Sequence, residues 1–168
     1  MKLLLEIRDE DFGLSTKKTE MKIREAARAI ALKDNKIALL FVSKDGRYHK
    51  LPGGGIEQGE SIEEALFREM REETGCKIKI TSELGKIVEH RTHFGVLQTS
   101  YCYVAKVMEE GTPDFDEGEI AAGYKLEWAS LEDAINILKK ERHETYDGKF
   151  IGRRDIMFLE EAKKIIGR

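Results

Sequence analysis

Cysteine, proline and tryptophan are scarce in this chain: two, two and one among 168 residues. Cys76 and Cys102 are far apart and neither has a neighbour at CxxC spacing, which argues against zinc chelation and against a disulfide framework. With so little proline, no linker or low-complexity tract interrupts the chain, and no internal repeat is visible. Long apolar runs are missing as well. The leucines at 3–5 give way at once to charge, too few for a signal-peptide core and far short of the roughly 20 residues that span a bilayer. There is no excess of positive charge either: 29 Lys and Arg stand against 32 Asp and Glu, a net −3 that does not suggest a general nucleic-acid surface. The expectation is a cytoplasmic protein without nucleic-acid or membrane partners.

What is present suits a globular domain, with 40% hydrophobic and 36% charged residues. Residues 2–8, 26–32 and 37–43 read as strands, the last two joined by the turn signal KDNK at 33–36. Extended segments follow at 77–80, 85–91, 96–107 and 124–129, with a turn around His93–Gly95. Helices are expected at 61–75, 131–140 and 155–166, and the acid-rich stretch 111–124 reads as a loop. The fold class is therefore α+β: a mixed sheet flanked by helices, in one domain over 1–168, with 1–25 an extension or extra strand.

The most informative stretch is HKLPGGGIEQGESIEEALFREMREETGC, from His49 to Cys76. With Ile62 set at zero on a helical wheel, Leu66 falls near about 40°, Met70 near about 80° and Ala65 near about 300°. Glu69, Glu73 and Glu72 land near about 340°, 20° and 280°, continuing this apolar stripe instead of opposing it. An acid-rich helix is ordinarily a solvated face. Here three like charges on one inward azimuth repel one another and are costly to bury, and helix ends ordinarily attract cations at the C-terminus. Hard divalent cations resolve both difficulties, because carboxylates at i, i+3 and i+4 reach one ion cluster. Arg68 sits beside Glu72 and can orient it. Gly53, Gly54 and Gly55 permit close backbone approach and suggest a phosphate held between amides and ions. The GK[ST] of a P-loop is absent.

Gly54, five residues, Glu60, seven residues, then Arg68-Glu69-Met70-Arg71-Glu72-Glu73-Thr74-Gly75-Cys76 resembles the Nudix box, G-x5-E-x7-R-E-U-x-E-E-x-G-U, with U a bulky aliphatic. Every fixed polar and glycine position agrees; Cys76 alone departs, in a packing position. The resemblance implies an α/β/α sandwich and a hydrolase that cleaves a nucleoside diphosphate linked to another group X. Glu69, Glu72 and Glu73 would hold Mg²⁺ or Mn²⁺, with the Gly53 carbonyl a further ligand. Gly54, Gly55, Glu60 and Arg68 would shape the loop and helix around substrate and ion. The general base would be Glu69 or a carboxylate of the 114–119 stretch, among Asp116, Glu117 and Glu119, with Glu117 the representative choice; those three also read as a solvated loop.

Other residues carry weaker signals. Tyr48 and His49 could meet a base or ribose, or simply belong to a strand edge. His90 and His93 point to opposite faces and should not share an ion. Arg91 could contact a substrate phosphate, and Trp128 reads as core. No proline follows Gly75 before Pro113, so the signature of the ADP-ribose subgroup is missing. That leaves ordinary or modified nucleoside triphosphates, including 8-oxo-dGTP-like species, ahead of nucleotide sugars and ADP-ribose. An isoprenoid isomerase or a catalytically silent nucleotide-binding regulator would be expected to break the box. A small-molecule nucleotide is the expected partner, with a homodimer left open.

Overall fold

The run of apolar residues at 26–42 builds the centre of a mixed, eight-stranded sheet in the computed structural model, which describes residues 1–166. Strands β2 (Lys22–Lys33) and β3 (Lys36–Val42) are joined through Asp34 and Asn35, both at positive φ, where the short polar side chains of Asp and Asn are tolerated. Along its other edge β2 runs parallel to β7 (Val96–Glu109), in register from Lys22 opposite Val96 to Leu32 opposite Lys106. Beyond β7 lie β6 (Lys77–Arg91), antiparallel, and β1 (Leu3–Arg8), parallel. Strands β4 (Tyr48–Lys50) and β8 (Tyr124–Ser130) both pair with β3, and β5 (Gly53–Gly55) pairs with β2 at Ala26–Arg28.

Period-two alternation decides what covers each face. Ala27, Ala29 and Ala31 project to one side and pack against Ala65, Leu66 and Met70 of α1 (Ile62–Thr74); their small side chains let the helix lie close. Ile30 projects to the other side, where it joins Ile7, Ile87 and residues of α3 (Leu131–Lys140) and α4 (Tyr146–Ile166), including Leu138, Phe150 and Phe158. The result is the expected α/β/α sandwich. Among the described residues no helix is long and apolar enough to cross a membrane.

The helix that carries the acids has the ends its sequence indicates. Ser61 caps it and exchanges hydrogen bonds with Glu64 in a capping box, and Gly75 closes it at φ 71°. Three other expectations are corrected. The 85–91 and 77–80 segments form one strand, interrupted by irregularities between Ile80 and Ser82 and between Glu83 and Gly85. Residues 117–122 are not loop but a short helix, α2 (Glu117–Ala122), opened by a capping box between Asp116 and Glu119. The final helix begins at Tyr146, not Asp155, because its glycines serve packing: a Cβ on Gly152 would lie 2.4 Å from the His143 imidazole. Trp128, read as core, packs half-buried against the cluster beneath α1, with the Lys33 ammonium 4.4 Å above its ring.

His49 takes the strand-edge role. Its Nδ1 meets Glu141 and its Nε2 lies 2.9 Å from Glu127, while its backbone N–H donates to Glu141 at 3.0 Å. Burial works against the imidazolium, but the two carboxylates outweigh it and hold its pKa above the ordinary 6.5. A pKa raised in the folded state stabilises the fold below the unfolded value, and that contribution disappears as pH rises through the folded value. Thermal melts should therefore show Tm falling as pH rises above about 6.5 in the wild type, with the His49-dependent part of the slope absent in His49→Gln. Equal slopes in the two proteins would remove His49 from the account.

Candidate active site

The site is built around β5, which occupies the gap where β2 parts from β3. Gly53 has φ 132°, and a Cβ there would meet the Ala27 carbonyl oxygen at 2.1 Å, so no other residue fits. At Gly54 a Cβ would lie 2.5 Å from Glu69 Oε1: the glutamate carboxylate rests directly on the bare backbone. Gly55 faces the opposite way, with Arg24 Nη2 3.2 Å from its Cβ position. A strand of three glycines thus separates an acidic side from an arginine side.

On the acidic side α1 presents Glu69 and Glu73, both buried, and Glu72, half-exposed. Arg68 organises them. Its guanidinium grips Glu60 in a fork at 2.7 and 3.0 Å, and donates to Glu69 at 2.8 Å, Glu72 at 3.2 Å and the Gly55 carbonyl at 2.9 Å. That hydrogen bonding draws the Glu60 carboxyl down to about 2. Glu73 accepts the Gly53 N–H at 2.5 Å and lies 3.5 Å from Lys50 Nζ. Burial pushes its pKa up to about 7, against the pull of Lys50. The Asp114 N–H donates to the Glu72 carbonyl at 2.7 Å, which ties the acid-rich connection to the end of α1. The two elements enclose a cavity of about 460 Å³ lined by Glu57, Glu69, Glu72, Asp114, Asp116 and Glu119 against a single guanidinium, Arg68.

A second cavity, of about 420 Å³, shares Glu69, Asp116 and Glu119 with the first and extends across the glycine strand. Its far wall is basic: Arg24, Arg28, Lys50, Arg91 and Arg154. Arg28 donates to the Gly53 carbonyl at 3.0 Å, and burial, with Arg154 nearby, pushes its pKa down to about 10. Arg91 pairs with buried Glu89 at 2.7 Å and with Asp147 at the rim. Arg154 pairs with Asp155 at 2.7 Å, and its Nη1 stands 3.5 Å from Glu89.

The structure therefore brings together Gly53, Gly54, Gly55, Glu60, Arg68, Glu69, Glu72 and Glu73. Glu117 is left out: it is exposed on the first turn of α2 and reaches neither cavity, whereas Glu119 and Asp116 reach both. Arg91 and Tyr48 do line the larger cavity. Arg24, Arg28, Lys50 and Arg154 went unremarked in the sequence, although Arg24 and Arg28 share one parity in a strand otherwise turning apolar. Among the described residues no three acidic, histidine or cysteine side chains close around one point tightly enough to hold an ion in this arrangement, because Arg68 and Lys50 take the carboxylates. The donor set still suits a hard divalent cation. All the candidate ligands are oxygens, they crowd a cavity with little compensating charge, and Gly54 leaves room beside Glu69.

The chain is similar to known proteins. A diphosphoinositol polyphosphate phosphohydrolase 3-alpha of Mus musculus is 35% identical over 94 residues, 53% of this chain and 51% of that protein. An ADP-ribose pyrophosphatase of Methanocaldococcus jannaschii is 48% identical over 63 residues, 36% of this chain and 37% of that one. The chain spans about half the length, or less, of these curated relatives. A NUDIX hydrolase structure from Nitrosomonas europaea superposes with a TM-score of 0.67 over 85% of this chain and 90% of that one, at 19% identity, which speaks to fold. Residues 22–152 match the NUDIX domain, and with the glycine strand and acidic helix inside that span, the chain belongs to the NUDIX family.

Proposed function

We propose that this chain is a divalent-metal-dependent pyrophosphohydrolase acting on a nucleoside diphosphate linked to a group X. It releases a nucleoside monophosphate together with pyrophosphate or phosphorylated X. The observation that carries this reading is the placement of Glu69, Glu72 and Glu73 around two adjoining cavities: Glu69 and Glu73 beside the Gly53–Gly55 backbone in one, Glu69 and Glu72 in the other. Glu69, Glu72 and Glu73, with the Gly53 carbonyl, would hold Mg²⁺ or Mn²⁺, which supplies charge neutralisation at phosphoryl oxygens and acidifies water. The rest falls to the chain's own groups. Arg68 holds Glu69, Glu72 and the Gly55 carbonyl in one arrangement, a positioning role. No serine, cysteine or histidine stands among the box residues that line the cavities, so water attacks phosphorus directly. Its oxygen bonds to phosphorus, the bridging oxygen leaves with the neighbouring phosphate, and the proton passes to a carboxylate.

Glu119 is the better-placed proton acceptor. Burial raises its pKa, and it faces both Glu69 and Asp116. Glu119→Gln should lower kcat about 100-fold, while exposed Glu117→Ala should remain near wild type. If Glu119→Gln also retains most of kcat, Glu69 becomes the base.

The bond cleaved also has a direct test. A nucleoside triphosphate incubated in ¹⁸O-water should give a monophosphate and pyrophosphate, one of them labelled, as separated by ion exchange and weighed by mass spectrometry. Orthophosphate released beside a nucleoside diphosphate would overturn the reading. The two relatives above are named for diphosphoinositol polyphosphates and for ADP-ribose. Both are pyrophosphates, and both belong in the substrate panel beside nucleoside triphosphates.

A further inference from the structure

The arginine side of the glycine strand has no counterpart in the proposed chemistry. Arg24 and Arg28 project from the same face of β2, and β5 lies alongside that stretch. Arg28 is only 5% exposed, Arg24 stands at the open end, and both line the 420 Å³ cavity. Among the described residues neither has a carboxylate within ion-pairing distance; Arg28 donates to the Gly53 carbonyl, and Arg24 to the Gln98 amide. Deeper in the same cavity Arg154 is fully buried, and its Nη1 and Nη2 have no hydrogen-bond partner. Glu89, whose carboxylate stands 3.5 Å from Nη1, is already shared with Arg91, Gln98 and Ser100. Buried guanidinium donors left without acceptors are costly, and arginine presents a planar fork that matches phosphate. An anionic ligand would satisfy them.

Which anion follows from the geometry of the strand. Successive residues of a strand face opposite sides, so the side of Gly54 that meets Glu69 is not the side of Gly55 that meets Arg24. A pyrophosphate held by the box glutamates on the first side leaves Arg24 and Arg28 without counter-charge on the second. We propose that Arg24, Arg28 and Arg154 form a second anion subsite, which takes a phosphate group lying outside the bond that is cleaved. The preferred substrate then carries at least one phosphate beyond its scissile pyrophosphate. This rests on the pyrophosphohydrolase reading for its substrate class, but not for the binding itself, since guanidinium groups need no metal to hold phosphate.

Two measurements separate the claims. In EDTA, saturating inorganic tripolyphosphate should raise the Tm of the wild type by at least about 5 °C. Arg24→Gln should lose most of that shift, and so should Arg28→Gln if it folds; Arg24, at the cavity mouth, keeps the test open if Arg28→Gln does not. With Mg²⁺, wild-type kcat/KM for diadenosine tetraphosphate should exceed that for diadenosine diphosphate by at least about 10-fold, and Arg24→Gln should erase most of that preference. A wild-type shift below about 1 °C, or the same shift in Arg24→Gln, overturns the subsite. A normal tripolyphosphate shift with no turnover of any pyrophosphate under Mg²⁺ or Mn²⁺ leaves the subsite standing and overturns the hydrolase.

Discussion

Glu72→Gln is expected to lower kcat about 1,000-fold while leaving the fold untouched. Glu72 is the most informative of the three box glutamates because its structural role is small. Its side chain is 46% exposed, and among the described residues its one ion-pair partner is Arg68 Nη1, at 3.2 Å, across an i,i+4 pair. Such a pair contributes about 0.3–0.5 kcal/mol, less than threefold in any equilibrium. Its backbone carbonyl, which anchors Asp114, is unaffected by the substitution. Glutamine preserves length and helix propensity and removes only charge. The Tm in EDTA should therefore stay within about 1 °C of wild type, while turnover with Mg²⁺ or Mn²⁺ falls by orders of magnitude. EDTA should abolish wild-type turnover, and added Mg²⁺ or Mn²⁺ should restore it. Near-normal kcat in Glu72→Gln would detach these acids from catalysis.

That expectation was legible in the sequence because helical periodicity converts directly into azimuth. Glu69 and Glu73, placed on the apolar stripe, are buried as that stripe requires, and Glu72, at its margin, is half-exposed. Ser61 and Gly75 carried their caps in their own chemistry. The glycines were less transparent. Three in succession signal a turn, and only the tertiary structure makes them a strand that pairs with Ala26–Arg28 and accepts a carboxylate against Gly54. Asp116 and Glu119 do show the D-x-x-E spacing of a capping box, a local signal masked by the density of acids around it. That helical turn is what directs Glu119 inward and Glu117 outward, so the difference between them exists only once α2 has formed.

The arginine side, Arg91 apart, was illegible for a different reason. A buried arginine is recognised by its partners, and these come from distant parts of the chain: Arg28 from β2, Glu89 and Arg91 from β6, Gln98 and Ser100 from β7, Arg154 and Asp155 from α4. Single-residue patterning in RRD at 153–155 suggests nothing more than the start of a charged helix. The two glycines of α4 conceal its first turns in the same way, since they read as breaks and act as contact points.

Asp155 is where this network is most exposed to test. It is fully buried, and its two oxygens do separate work: Oδ1 accepts Arg154 Nε at 2.7 Å, and Oδ2 accepts the Leu51 N–H at 2.8 Å. The second bond fixes α4 to the chain immediately before the glycine strand. Asn at this position keeps the volume and an acceptor for Leu51, but it removes the charge facing Arg154. Glu89, with Asp147 at the rim, would then be left against Arg154 and Arg91, with Arg28 close by. Breaking a buried pair on one side costs about 3–5 kcal/mol, because the surviving charge cannot regain its hydration. For a chain of this size Asp155→Asn should lower Tm by at least about 6 °C, and urea melts should show the loss in the midpoint and not in the slope. The double substitution Arg154→Met/Asp155→Asn removes both charges together, keeps an acceptor for the Leu51 N–H, and should be more stable than Asp155→Asn alone, since removing a whole buried pair is often neutral. A single variant within about 1 kcal/mol of wild type would mean that Asp155 and Arg154 are solvated like a surface pair.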